Sequence, residues 1–396
     1  MHGCTYRSTR GGGERVSASQ AILRGIADDG GLYVPTLFPD LSTSLASLPE
    51  WSYNDLACRV MAPFLADFDA AELRACVEAA YDAKFDTPLV APVVPRAGVY
   101  FLELYHGPTL AFKDMALAIL PHLMRTAAAK ESLQRRILIL TATSGDTGKA
   151  ALEGFADVAG TRIIVFFPHE GVSEIQKRQM VTQGGANTHV VGIRGNFDDA
   201  QNGVKAIFAD AQLRHRAEAS GWRFSSANSI NVGRLIPQVV YYFYAYGQLV
   251  RQGALQPGER FNVVVPTGNF GNILAAYYAG RMGLPVHRLV CASNANKVLF
   301  DFLATGVYDR NRPFVPTISP SMDILVSSNL ERLLFALSGE NPETTARLMA
   351  QLAREGRYAI TPEMRQGLER FYGGYATEEE TRRAIREVFE SDRYLI

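Results

Sequence analysis

The sequence predicts an α/β protein, in which a largely parallel sheet is covered on both faces by helices and follows a mostly helical N-terminal domain. Two observations carry this. Short apolar runs such as Arg162 to Phe167 (RIIVFF) and Phe261 to Val265 (FNVVV) alternate with stretches of helical spacing. Strands buried on both faces read as continuous apolar runs, and helices between them supply parallel crossovers. Residues 1 to about 90 instead carry helix-period patterns.

In order, Ala18 to Ala27 has helical apolar spacing and runs into Asp28-Asp29-Gly30-Gly31, where Gly30 or Gly31 is expected to supply a left-handed cap. Leu32 to Pro35 is a short extended piece, and Tyr53 to Leu65 and Ala70 to Tyr81 are helices. Thr87 to Arg96 holds Pro88, Pro92 and Pro95 and reads as an extended connector, which places a boundary near residue 90. Strands are then expected at Arg136 to Thr141, Arg162 to Phe167, His189 to Ile193, Phe261 to Val265 and Val286 to Ala292. The helices between them are Lys149 to Asp157, Ser173 to Thr182, Asp198 to Leu213 and Ile273 to Arg281. From about Glu331 the chain is mainly helical, and it shows no internal repeat.

The 396 residues suffice for two or three domains with real cores. Forty basic residues balance forty acidic ones, so no field of one sign points to nucleic acid or an anionic membrane. Cys4, Cys58, Cys76 and Cys291 form no CxxC pair and no cluster with metal-ligand spacing, so neither a disulfide framework nor a metal is expected. The N-terminus has no apolar signal core, and Val239 to Val250 is too short and Tyr-rich to span a bilayer. A cytoplasmic protein is the expectation.

Three segments carry chemistry. His106 to Asp114 reads HGPTLAFKD and sets Lys113 among Leu110, Ala111, Phe112, Met115 and Ala116. Desolvation lowers a lysine pKa, and a neutral amine attacks aldehydes. The plainer reading is a lysine whose stem lies on apolar neighbours while its head reaches water. Thr141 to Ala151 (TATSGDTGKAA) places Thr143, Ser144, Gly145, Asp146 and Thr147 between a strand and a helix, where hydroxyls and amides attract anions. Pro266 to Ala276 (PTGNFGNILAA) does the same with Gly268, Asn269, Phe270, Gly271 and Asn272. Neither is a P-loop or a dinucleotide fingerprint, and each alone also fits an ordinary capped turn. Phe224 to Leu235 adds Asn228, Ser229, Asn231 and Arg234 before an apolar helix, a set suited to an oxyanion or to helix capping.

Taken together, HGPTLAFKD, TATSGDTG, GVSEIQKRQMVTQGGAN, SANSINVGRL, PTGNFGN and SMDILVSSNLER resemble the threonine synthases, pyridoxal-phosphate enzymes of fold type II; with YRSTRG and ADDGGLYVP near the start, the likeness covers nearly the whole chain in order. The resemblance implies two α/β lobes with parallel-rich sheets behind an N-terminal domain of residues 1–90. The catalytic region would be 91–396, with a smaller lobe at about 115–230 nested in the larger. It implies Lys113 as the lysine that holds the cofactor aldehyde and then moves protons. Gly268, Asn269, Phe270, Gly271 and Asn272 match the loop for the cofactor phosphate. Thr143, Ser144, Gly145 and Thr147 match a substrate-facing loop, and Asn228, Ser229, Asn231 and Arg234 the segment associated with substrate phosphate. Asp146 stands where many relatives carry asparagine beside the cofactor's 3-oxygen; it is a site residue without a fixed role.

The implied reaction takes O-phospho-L-homoserine and water to L-threonine and phosphate, in a monomer or homodimer. The family continues past an apolar piece like Arg393-Tyr394-Leu395-Ile396 into a segment that meets the pyridine nitrogen, so no residue here is assigned to that nitrogen. Two alternatives follow: a phospholyase or dehydratase that releases 2-oxobutyrate, or a non-catalytic relative that binds a phosphate ligand.

Overall fold

Each N-terminal helix starts where a side chain takes over an unpaired backbone amide. Ser17 and Gln20 form a capping box before Ala18–Arg24, Ser52 caps Tyr53–Met61, and Asp69 with Glu72 boxes Ala70–Ala80. The first helix ends earlier than expected, at Gly25 with φ of 74°, while Gly30 shapes the turn beyond it. The fold is given by a computed structural model that describes residues 3–394 except Ser144, Gly171 and Asn196, and except the side chains of Phe197, Asp198, Asn202, Lys205 and Ala209.

The strands in chain order are β1 (Tyr6–Ser8), β2 (Tyr33–Pro35), β3 (Val93–Arg96), β4 (Val99–Leu102), β5 (Arg136–Ala142), β6 (Thr161–Pro168), β7 (Thr188–Ile193), β8 (Trp222–Ser225), β9 (Phe261–Pro266), β10 (Val286–Ser293), β11 (Val307–Asp309), β12 (Arg357–Ala359) and β13 (Phe371–Tyr375). The connector around the three prolines is in part a hairpin: β3 and β4 pair antiparallel about Ala97 and Gly98, both at positive φ. Such a two-residue turn follows the natural twist of paired strands.

Two parallel sheets carry the lobes. The smaller lobe orders its strands β7-β6-β5-β8. Ile137, Ile139, Ile163 and Val165 face the main core, and Leu138, Leu140, Ile164 and Phe166 face Ala200 and Val204 of the helix Phe197–Ala209. This sheet is covered on both faces, as expected. The larger lobe orders its strands β13-β10-β9. Here the expectation needs correction. Val264, Val290 and Tyr372 stand in one row across the sheet, with Val264 64 % and Tyr372 42 % exposed, so only the opposite face, with Val265, Cys291 and Phe371, is packed.

A central helix, Val232–Arg251, follows the smaller lobe's last strand and is buried from Val232 to Leu249 despite Pro237 in its interior. It packs on the helices Tyr53–Met61 and Gly271–Arg281 and so joins the N-terminal helices to the larger lobe. Among the described residues no helix is long and apolar enough to cross a membrane.

Candidate functional site

Lys113 lies just before the short helix Asp114–Leu117 and is 8 % exposed. Its cover differs from the reading above. Leu110 takes a left-handed φ of 58° and points outward at 70 % exposure, whereas Met115 and Ala116 are buried. The turn is held by Asp114, whose carboxylate accepts from Thr109 N at 2.8 Å and Thr109 Oγ1 at 2.6 Å. The Lys113 ammonium donates to the Asp146 carboxylate and sits 4.9 Å from the centre of the Phe112 ring. Burial draws the Lys113 amine below the ordinary lysine value, against the pull of Asp146 and with help from the nearby Arg234 charge. Burial alone would raise the Asp146 carboxyl, but the Lys113 charge and three donors outweigh it and keep the group ionised.

Asp146 opens the helix Asp146–Phe155 at the carboxyl end of β5. Thr143, 2 % exposed, is committed to this loop: its Oγ1 accepts from Gly145 N and Gly148 N, both at 2.9 Å, and donates to the Gly145 carbonyl at 3.2 Å. Thr147 gives its backbone N–H to Asp146 at 2.7 Å. Ser144 lies outside the described residues.

The second loop ends in Phe270, whose left-handed φ of 63° turns the chain into the helix Gly271–Arg281. The first backbone bond of that helix runs from Leu274 N to Phe270 O, so the amides of Gly271, Asn272 and Ile273 precede the ladder, the arrangement by which a helix N-terminus can hold an anion. Asn272 Oδ1 accepts from the hydroxyls of Tyr241 and Tyr242, which fixes the loop to the central helix. The Asn269 carbonyl accepts from Asn329 N at 3.0 Å and Nδ2 at 3.1 Å, and the Gly268 carbonyl from Ser327 Oγ at 2.9 Å.

The third segment divides in two. Asn231 is spent on structure: it caps the central helix through Gly233 N and donates to the carbonyls of Ile22 and Ser226. Arg234 is not. It is 2 % exposed, donates one Nη1 bond to the Ala227 carbonyl, and its Nε has no partner among the described residues. Asn228 Oδ1 is likewise buried without a partner, and Ser229 Oγ stands 3.4 Å from Ser328 Oγ. Burial pushes the Arg234 guanidinium down to about 10, so it stays charged at neutral pH. A charge that deep with unspent donors calls for an anion.

The segment SMDILVSSNLER supplies residues that sequence reasoning left without a role. Ser321 Oγ donates to the same Asp146 oxygen as Lys113. Arg332, 1 % exposed, ties Asn329 to the carbonyls of Tyr33 and Ile230. These links join stretches far apart in the chain, and no local spacing announces them.

A buried amine of lowered basicity, a helix entrance ready for phosphate and an unspent buried arginine fit pyridoxal phosphate with an anionic substrate. Comparison with known proteins agrees. Residues 5–81 match the family described as "Threonine synthase N terminus", and residues 81–363 match "Pyridoxal-phosphate dependent enzyme". The chain is 42 % identical over 395 residues to the threonine synthase of Pseudomonas aeruginosa, covering 99 % of this chain and 81 % of that protein. It superposes on the PLP-bound threonine synthase of Brucella melitensis with a TM-score of 0.91 at 40 % identity, covering 99 % and 82 % of the two chains. Against the yeast threonine synthase structure the TM-score is 0.90 at 33 % identity, covering 99 % and 81 %.

Proposed function

Because this chain belongs to the threonine synthase family of fold-type-II pyridoxal-phosphate enzymes, we propose that its cleft converts O-phospho-L-homoserine and water to L-threonine and phosphate. The observation that supports this most is the meeting of Lys113, Asp146 and Arg234 in one buried cluster. When bound, the cofactor supplies an electron sink that acidifies the substrate carbons next to its amine.

The protein's own groups do the rest. Lys113 Nζ is the base: its lowered pKa leaves more neutral amine at working pH, and it is already in place to take and return the α-proton. Asp146 holds that nitrogen in position. The amides of Gly271 to Ile273, oriented by Phe270, Asn269, Gly268 and Asn272, hold the cofactor phosphate. Arg234, with Asn228 and Ser229 beside it, binds the substrate's phosphate and steadies it as it departs. The strand-end loop with Thr143, Gly145 and Thr147 serves the substrate, Thr143 through the loop shape it maintains; Ser144, assigned to the same loop, lies outside the described residues. Asn231 acts by fixing the start of the helix that carries Arg234.

A cytoplasmic monomer or homodimer, binding neither nucleic acid nor membrane, belongs to the same proposal. So does the division at about residue 90, with the smaller lobe at about 115–230. The test is a product assay. The chain is incubated with pyridoxal phosphate and O-phospho-L-homoserine, and threonine, 2-oxobutyrate and phosphate are quantified separately. Threonine and phosphate in equal amounts are expected; 2-oxobutyrate as the main product would replace this reading with that of a phospholyase.

A further inference from the structure

The turn Pro320–Met322 lies against the phosphate-ready loop, and its place is fixed from two sides. On one side a Cβ at Gly268 would stand 2.5 Å from the Ser321 carbonyl oxygen, so only glycine lets the two backbones approach this closely. On the other side Asp323 gathers the end of β10 and the chain before the turn. Its Oδ1 accepts from Asn294 Nδ2 at 2.7 Å, Asn296 Nδ2 at 3.0 Å and Thr317 Oγ1 at 2.7 Å, and its Oδ2 accepts from Thr317 N at 2.9 Å. Ser321 is thus exposed to solvent yet has little freedom. Its hydroxyl leaves water to donate to the Asp146 oxygen that also accepts Lys113 Nζ. Asp146 opens the helix that follows β5 of the smaller lobe and Ser321 belongs to the larger lobe, so the bond crosses the cleft.

We propose that Ser321 is a positioning residue: its hydroxyl aims the Asp146 carboxylate at Lys113 Nζ across the two lobes and thereby governs the nucleophilicity of that amine. This deepens the reading of Lys113 as the reactive lysine and rests on it. The charges that face Lys113 are Asp146 and Arg234, and Asp146 in turn faces those of Lys113 and Arg234. The other groups bonded to Asp146 are the Ser321 hydroxyl and the Thr147 amide. Without the hydroxyl, the Asp146 carboxylate keeps its charge and its Thr147 bond but is held from one lobe only, so its oxygen is less often aligned with Lys113 Nζ. Burial and Arg234 continue to oppose protonation, so the amine spends more time neutral.

The test needs neither cofactor nor substrate, so its outcome is separate from that of the product assay. The full chain, freed of any bound aldehyde with hydroxylamine and dialysed, is pulsed with acetic anhydride from pH 7 to pH 10. Acetylation of Lys113 is read by peptide mass spectrometry against Lys84 and Lys297, whose side chains are 46 % and 37 % exposed. Ser321→Ala is expected to label Lys113 about threefold faster at neutral pH, the change a half-unit fall in amine pKa produces. Ser321→Thr, which keeps the hydroxyl, is expected to label at the wild-type rate. Asp146→Asn is expected to give the largest increase, and Asp323→Asn, which loosens the turn without touching Asp146, an increase as well. Wild-type labelling in Ser321→Ala, or equal acceleration in the alanine and threonine variants, overturns the proposal. So does an Asp146→Asn variant that labels no faster than wild type. Unfolding curves of the variants guard against a trivial gain in access, and Ser321, being exposed, is a mild site for replacement.

Discussion

Arg234 brings a charge into a place almost closed to solvent, and its Nε–H has no hydrogen-bond partner among the described residues. A charge-assisted hydrogen bond to an anion contributes about 1.5–3 kcal/mol, so Arg234→Ala should lower kcat/KM for the phosphorylated substrate roughly 10- to 100-fold. Arg234→Lys should recover only part of it, because an ammonium cannot present the guanidinium fork. Steady-state kinetics on O-phospho-L-homoserine checks this, and an unaltered kcat/KM in the alanine variant would remove Arg234 from substrate binding. At this scale Lys113 was legible because its motif combines a Gly-Pro turn with apolar neighbours. That Leu110 faces solvent was not, since the left-handed turn at that residue reverses the side chain's direction. Ser321 was not legible either: its partner is Asp146, and only the folded chain brings them together.

Elements meet in a second polar cluster, away from the cleft chemistry but at the root of the Lys113 turn. His106 Nδ1 lies 2.6 Å from Asp86, which follows the N-terminal helices, and Nε2 lies 2.8 Å from Glu103, just beyond β4. Tyr394, after the last helix Glu378–Asp392, donates to the other Glu103 oxygen at 2.6 Å. Burial by itself would lower the His106 pKa, but the hydrogen bonds and charges of Glu103 and Asp86 raise it above the ordinary value of 6.5. The stabilisation it gives is therefore complete below about pH 6.5 and is lost as pH rises through the higher folded-state value. Glu103 runs the other way. Burial would raise it, its bonds to Tyr394 and His106 lower it, and its contribution fades as pH falls through that lowered value. Thermal unfolding should thus show a decline above neutral pH that His106→Gln abolishes; the same decline in the variant would assign it to other groups. The hairpin that leads to Glu103 escaped the sequence because three prolines mask a strand pattern. β8 and β13 escaped for related reasons: WRFS is short and half-buried, and FYGGY carries two glycines that read as a turn. The stretch expected as one helix to Leu213 is two, since Asp210 caps a new one at Ala211–Ala219.

Over the whole molecule, the alternating plan of strand and helix was read correctly because parallel crossovers leave a strong periodic signal. The number of faces covered was not. FNVVV looks fully buried, but the row of Val264, Val290 and Tyr372 is open. Val264→Thr should shift the unfolding free energy by less than about 0.5 kcal/mol, as at an ordinary surface site. Val265→Thr, one residue on and 3 % exposed, should cost roughly 1–3 kcal/mol for a hydroxyl left without a partner. Urea unfolding of the two variants distinguishes the faces, and equal losses would mean that the row is covered in solution. The spacing of the site along the chain has a further consequence. Lys113, Asp146, Arg234, Gly271 and Ser321 come from five separate stretches, and the larger sheet closes only when β13 reaches β10 across the helices between them. Closures over such separations come late in folding. Until then Lys113 is a solvated, protonated lysine like any other. In a chain still being made or partly unfolded, Lys113 is therefore no more reactive toward aldehydes than an ordinary lysine, and its heightened reactivity arrives only when the surroundings that direct it are complete.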